Sequence, residues 1–342
     1  MKIALIGLPQ AGKRTLFTLL TTRQVPDGLK PGETVEGIAP IRDPRVDVLA
    51  GMFNPEKTTY AENNFVLCPD AEGGGNYEWL TAARRCHQVC LVLRAFEDES
   101  VYHPSGSIDA DRDRENLEAE LLLADMALVE TRLERLAKEG RSGLKPEQER
   151  EKAVLDKAMA CLESGERLET LELDESERTA VRSLDLVTFL PVLRVYNVSE
   201  DDLGRQLPEA SVAVSVQIEA EVAEMEDADE AREYLAELGL SAPGVDRVNA
   251  AAYDALGLMS YYTVGEDECR AWTIRKGALA PEAGGSIHSD IERGFIRAEV
   301  MAYEDFVKAG SEVEAKNQGL MQTRGRDYTV EDGDIMHFLF NV

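Results

Sequence analysis

The feature that most constrains this chain is a glycine turn joined to a buried strand near its N-terminus. Lys2-Ile3-Ala4-Leu5-Ile6 is a continuous apolar run closed by Gly7. A run without polar alternation suits a strand covered on both faces, as in a parallel sheet flanked by helices. Gly7-Leu8-Pro9-Gln10-Ala11-Gly12-Lys13 follows, and Lys13 to Leu20 reads as a helix. Strand, glycine loop and helix in that order form a phosphate-binding loop. Successive backbone N–H groups converge on an anion where the helix dipole is positive. Gly7 and Gly12 let the backbone turn and approach closely. The candidate phosphate-binding residues are Gly7, Pro9, Gln10, Ala11, Gly12, Lys13, Arg14 and Thr15, with Lys13 reaching the β- and γ-phosphates.

The loop departs from its usual pattern one residue later. A Ser or Thr hydroxyl that binds Mg²⁺ normally follows the lysine, and here Arg14 stands there. A guanidinium has no acceptor atom and cannot ligate a metal. Thr15 is one residue further along the helix, about 100° around it, so it does not simply replace the lost ligand. Two outcomes follow. Either the guanidinium displaces Mg²⁺ and partly stands in for its charge, or Mg²⁺ is held through water and Asp70 alone.

Further short apolar runs at 65–68, 89–93, 192–196 and, more weakly, 212–216 predict more strands, and their alternation with helical stretches predicts an α/β sheet. Asp70-Ala71-Glu72-Gly73 follows the run at 65–68. In phosphoryl-transfer folds an Asp placed there holds the Mg²⁺ water shell, and the Gly N–H meets the γ-phosphate. Asn197-Val198-Ser199-Glu200 follows the run at 192–196. Asn197 and Glu200, at a strand's C-terminal end, suit the edge of a purine, or a helix cap. Ser215 and Val216, after the next run, are placed to pack on the base.

Between these strands the rhythm changes. Arg114 to Lys138 carries Leu122, Met126, Val129, Leu133 and Leu136 on one stripe and Leu117, Leu121, Ala124 and Leu128 on another. This predicts one long helix near coiled-coil spacing. A turn over 140–146, a returning helix from Pro146 to Glu163 and a capping box at Asp174 and Glu177 complete a helical hairpin. Beyond residue 258 the chain is rich in strand formers and glycine turns, with a short helix over 304–310, and reads as a small α+β module.

Net charge is −28, which opposes non-specific attraction to nucleic acid or anionic membranes. No apolar run approaches the roughly 18 residues of a membrane span, no signal peptide is evident, and no DNA or membrane partner is expected. The five cysteines are scattered and read as reduced thiols of a cytoplasmic protein. Cys86-x-x-x-Cys90 fits no strong zinc pattern, and Cys90 lies in an apolar run.

Taken together, these residues resemble the YchF / Obg-like ATPase family over nearly the whole chain. The resemblance is carried by Gly7-Leu8-Pro9, Asp43-Pro44-Arg45, Arg94-Ala95-Phe96-Glu97-Asp98, Glu120-Leu121 to Ala124-Asp125, and Asn197-Val198-Ser199-Glu200, which is similar to that family's NxxE signature. It is closest in Arg270-Ala271-Trp272-Thr273-Ile274-Arg275-Lys276-Gly277, Ile287-His288-Ser289-Asp290, Arg293 to Val300, Asp332-Gly333-Asp334 and the ending from Phe338 to Val342. The resemblance implies an α/β fold of three parts: a P-loop G domain split over 1–112 and 185–257, a helical coiled-coil insertion at 113–184, and a TGS-like C-terminal domain at 258–342. It also implies ATP preferred over or alongside GTP, association with ribosomes, and a role in translation or stress response.

Three departures fall on hydrolysis and switching. They are Arg14, a glycine-rich segment cut to Gly73-Gly74-Gly75-Asn76, and a shortened stretch around Gly32 to Val35, where Thr34 is the candidate Mg²⁺-contacting threonine. Two readings remain open: a slow ATPase or GTPase acting as a translation-associated switch, or a non-catalytic scaffold that docks to ribosome or protein partners through the C-terminal module. That module has nine Lys/Arg against fifteen Asp/Glu from Leu258 to Val342. Any RNA contact there is expected to rest on Arg270, Arg275, Lys276, Arg293 and Arg297 beside Trp272 and Phe295. His288 reads as a turn or strand residue satisfied by hydrogen bonding.

Overall fold

The computed structural model describes residues 1–30, 32–140 and 143–341. Arg141 and Ser142, within the expected 140–146 turn, and the final Val342 lie outside the described residues. The described chain runs β1 (Lys2–Ile6), α1 (Lys13–Thr21), β2 (Val35–Pro40), α2 (Pro44–Phe53), β3 (Lys57–Thr59), β4 (Glu62–Leu67), β5 (Gln88–Ala95), α3 (Ala110–Glu139), α4 (Pro146–Glu163), α5 (Glu175–Val181), β6 (Val192–Val198) and β7 (Ser211–Val214). It continues with α6 (Val216–Glu224), α7 (Ala228–Glu237), α8 (Gly244–Ala255), β8 (Leu258–Thr263), β9 (Glu268–Arg275), α9 (Ala280–Ile287), α10 (Ser289–Arg293), β10 (Phe295–Ala302), α11 (Tyr303–Ala309), α12 (Glu312–Asn317), β11 (Gln322–Arg324) and β12 (Asp334–Phe340). Among the described residues, no helix is long and apolar enough to cross a membrane.

The chain divides into two compact units, residues 1–38 with 64–252, and residues 39–63 with the stretch from Tyr253 onward. The first contains a six-stranded sheet of order β2-β4-β1-β5-β6-β7. Its pairs β1 with β4, β1 with β5, β5 with β6 and β6 with β7 are all parallel. The unalternated runs are thereby explained: Ile3 to Ile6 and Val89 to Leu93 are buried on both sheet faces. The weak run at 212–216 needs correction. The strand stops at Val214, and Val216 opens α6 after Ser215.

The long helix α3 serves two cores. Leu117, Leu121 and Ala124 pack into the core of the parallel sheet. Val129 and Leu136 instead join Val154, Leu155, Ala158 and Leu162 of α4. The two stripes seen in sequence thus divide between two interfaces, except that Leu128 of the second stripe packs with the hairpin core. Asp174 accepts from the Glu177 backbone N–H and Glu177 answers to the Asp174 N–H, so the expected capping box starts α5.

The second unit has its own six-stranded sheet, order β11-β10-β12-β8-β9-β3. β10 is antiparallel to β11 and β12, β8 is antiparallel to β9, and β3 lies parallel to β9 with Lys57 opposite Glu268. Asp43 caps α2 by accepting from the Arg45 N–H, with Pro44 at the first helical position. The Asp43 carboxylate also takes the Arg45 guanidinium and the Tyr262 hydroxyl at 2.5 Å, and Arg45 reaches Asp332 at 2.7 Å. Burial alone would raise the Asp43 pKa, but these donors hold it below its ordinary value. Asp43-Pro44-Arg45 is thus a helix start tied to the C-terminal strands.

The expected basic and aromatic cluster in this unit is only partly formed. Arg270 stacks on Trp272 at 4.0 Å. Phe295 is buried in the core, and the cation over it is Arg326. Lys276 and Arg293 are tied to Asp254 and Asp290. His288 caps α10 through Nδ1, which accepts from the Asp290 N–H at 3.1 Å.

Candidate functional site

The site is built at the C-terminal ends of β1, β4 and β6. Gly7 ends the buried strand, and a Cβ there would lie 2.5 Å from the Val92 carbonyl oxygen of β5. No larger residue fits while those strands stay paired. The loop then turns through Gln10 at φ 63° and Gly12 at φ 89°, both left-handed. Gly12 precedes α1, whose N-terminus has no side-chain cap. Its first backbone N–H groups are free of intramolecular side-chain acceptors, the condition for binding an anion.

Lys13 is buried, and its ammonium donates to the carbonyls of Gly7 at 3.2 Å and Pro69 at 3.0 Å and pairs with Asp70 at 2.9 Å. Burial draws its pKa below the ordinary lysine value, and Asp70 opposes that shift. Lys13 is therefore held across the loop, pointing back between β1 and the β4 end. Cys68 lies beside it with its thiol pushed up to about 12 by burial, and Cys90 is raised likewise, so both are inert core thiols.

Two clefts flank the loop. One, of about 260 Å³, is lined by Lys13, Arg14, Asp70, Glu72 and Trp79 together with Lys30, Gly32 and Glu33. Arg14 is exposed there. The second, of about 400 Å³, brings together Gln10, Gly12, Thr15, Asn197, Glu200, Ser215 and Val216. Arg14 and Thr15 thus serve opposite clefts, as the turn of the helix between them requires.

Asn197 does more than line this cleft. Its Nδ2 donates to the Ala11 carbonyl at 3.1 Å, and its Oδ1 accepts from the Val216 N–H at 3.1 Å. It ties the glycine loop to the start of α6 and is buried in doing so. Glu200 is exposed at the second cleft. Phe96, Glu97 and Asp98 line the same cleft. That loop is held by Arg94, which is buried, stacks on Phe96 at 4.6 Å and donates to the carbonyls of Asp98, Val101 and Tyr102. Trp79 was not singled out by the sequence, and Phe96 entered only within the Arg94 to Asp98 string, with no site role given to it. The only signal was their place just after the glycine-rich segment and the β5 strand.

Gly73 and Thr34 are both exposed, and neither lines the two clefts. Gly73 sits instead near the Glu120 carboxylate. The donor set around Lys13 fits a polyphosphate: an uncapped helix N-terminus, an ammonium and a guanidinium. It does not fit a directly ligated Mg²⁺. Arg14 offers no acceptor, Asp70 is engaged by Lys13, and among the described residues no group of three or more His, Cys, Asp or Glu could hold a metal ion.

Comparison with known proteins gives a consistent picture. The family model YchF-GTPase_C, described as a protein of unknown function (DUF933), matches residues 258–341. A Haemophilus ducreyi protein named "Ribosome-binding ATPase YchF" is 40% identical over 363 aligned positions, covering 100% of this chain and 99% of the relative. A Bacillus subtilis protein of the same name is 38% identical, covering 99% of this chain and 98% of the relative. The structure of the Schizosaccharomyces pombe YchF GTPase superposes with a TM-score of 0.82 at 28% identity, covering 99% of this chain and 97% of that one.

Proposed function

This chain belongs to the YchF family, and from that premise we propose that it is a purine nucleotide-binding, ribosome-associated protein in which binding has been separated from rapid hydrolysis. The observation that carries this reading is Arg14 at the phosphate-side cleft, one residue after a lysine held by Gly7, Pro69 and Asp70. The relatives named as ribosome-binding ATPases support the nucleotide and the ribosome as partners. Phosphates occupy the loop from Gly7 to Thr15. The base lies in the cleft of Asn197, Glu200, Ser215 and Val216, with ATP or GTP as the ligand.

The domain assignment follows the family. Residues 1–112 and 185–257 act as the G domain, apart from 39–63, which fold with the C-terminal unit; 113–184 act as a coiled-coil insertion, and 258–342 as a TGS-like domain that meets the ribosome or its RNA. This chain offers Mg²⁺ no direct ligand, and Asp70, paired with Lys13, would meet one only through water. Loss of a metal ligand and of a closing segment removes transition-state stabilisation. Each ~1.4 kcal/mol so lost slows turnover tenfold. A purely non-catalytic scaffold is the limiting case of the same defect.

Calorimetry with ATP and GTP, in Mg²⁺ and in EDTA, tests this. The wild-type affinity is expected to change less than about threefold with Mg²⁺, whereas Arg14→Ser binds at least about tenfold more tightly in Mg²⁺ than in EDTA. Fast Mg²⁺-dependent hydrolysis by the wild type overturns the reading.

A further inference from the structure

The phosphate-side cleft holds a donor that the family motifs do not name. Trp79 is only 4% exposed, on a one-turn 3₁₀ helix at Glu78–Leu80. Its Nε1 is shielded from solvent and has no acceptor among the described residues. Buried indole N–H groups ordinarily find a partner, and leaving one unpaired is unfavourable. An indole nitrogen donates and cannot accept, so only an acceptor satisfies it. The same residue lines the cleft that contains Lys13 and Arg14.

The surrounding chain fits a donor whose partner arrives with the ligand. Leu80 is fully buried and Trp79 packs in the core of the parallel sheet, so the ring is anchored. The segment before it is loosely held. Gly74 and Gly75 sit at φ 90° and 84°, and a Cβ on either would meet nothing within 4 Å. A fixed indole behind a glycine hinge can gain an acceptor by a small shift of the loop without losing its packing.

We propose that Trp79 is a specificity-determining residue that donates its indole N–H to the terminal phosphate of a nucleoside triphosphate, completing with Lys13 and Arg14 a donor set that needs no metal. This rests on the reading of the site as a nucleotide site. It assigns discrimination between tri- and diphosphate to a neutral donor. A diphosphate ends short of Trp79 and leaves it unpaired.

The test uses the full chain in EDTA, titrated with ATP, the β,γ-imido analogue of ATP, ADP and inorganic phosphate. Trp79→Phe keeps the ring and removes the N–H. It is expected to weaken both triphosphates about tenfold and to leave ADP within about twofold. In a Trp272→Phe background Trp79 is the sole tryptophan, and its emission is expected to shift with the imido analogue and not with ADP. This second measurement reads the native side chain and does not depend on the Trp79 variant folding. Equal weakening of tri- and diphosphate, an unchanged triphosphate affinity, or an emission change that is the same for both nucleotides overturns the proposal. Saturation by inorganic phosphate at the same concentration as ATP also overturns it, as that marks a general anion site. Failure of the wild type to bind ADP or ATP at all marks the failure of the nucleotide reading instead.

Discussion

Replacing Asp125 with alanine is expected to lower the unfolding free energy by about 3–5 kcal/mol, the cost of breaking a buried ion pair from one side. Asp125 lies in the middle of α3 and is fully buried. Its carboxylate accepts from Arg84 at 2.6 Å, from the backbone N–H groups of Val187 and Thr188 at 3.2 and 2.8 Å, and from the Thr188 hydroxyl at 2.7 Å. Val187 and Thr188 sit where the chain returns from the helical hairpin to β6, and Arg84 lies just before β5. Alanine strips the partly buried Arg84 guanidinium of its carboxylate partner, leaving it the Asp185 carbonyl, and leaves two buried N–H groups without their acceptor. Urea unfolding followed by far-UV circular dichroism measures the loss. Asp125→Asn, which keeps an acceptor oxygen and the side-chain volume, should lose less. A loss within 0.5 kcal/mol for the alanine variant, the ordinary size of a surface substitution, would contradict this account of the hairpin's attachment.

Lys13→Ala is expected to weaken nucleotide binding by about 100-fold or more, or ~2.7 kcal/mol, by removing the cation nearest the β- and γ-phosphates. The side chain is already gathered under the loop by the Gly7 and Pro69 carbonyls. Binding therefore requires only that it exchange the Asp70 carboxylate for a phosphate oxygen. Calorimetry with ADP reads the effect without hydrolysis. Lys13→Arg should not rescue it, because the forked guanidinium is larger and the position is 3% exposed. Retention of the wild-type dissociation constant by Lys13→Ala would remove the phosphate loop from the proposal altogether.

The parts of the fold legible from sequence were those set by local physics. An unalternated apolar run closed by glycine marked β1. Pro146 and Gly165 bracketed α4, which spans Pro146–Glu163 as expected. Asp174 and Glu177 announced their own cap. What was not legible depends on partners far along the chain. Asn197 read as facing a purine edge or capping a helix, and nothing local announced that its amide also spans from Ala11 to Val216, the former 186 residues away. Trp79 carries no motif, and only the folded loops bring it and Phe96 to the clefts. The second stripe of α3 gave no sign that it belonged to a different core. Val216 read as strand because β-branched residues suit either element when the boundary is a single Ser215.

The C-terminal strands have a debt to the early chain that bears on how such proteins can be rearranged. Residues 39–63 leave the parallel sheet between β2 and β4 and complete the other unit. They supply β3 as the neighbour of β9, Phe53 stacked on Phe306 at 5.5 Å, and the Asp43 carboxylate under Tyr262. The stretch matched by the family model, 258–341, is therefore smaller than the folded body it belongs to. Grafted onto another chain as a cassette, it would arrive with β9 as a bare sheet edge open to self-association. A transplant that carries 39–63 alongside it keeps that edge closed.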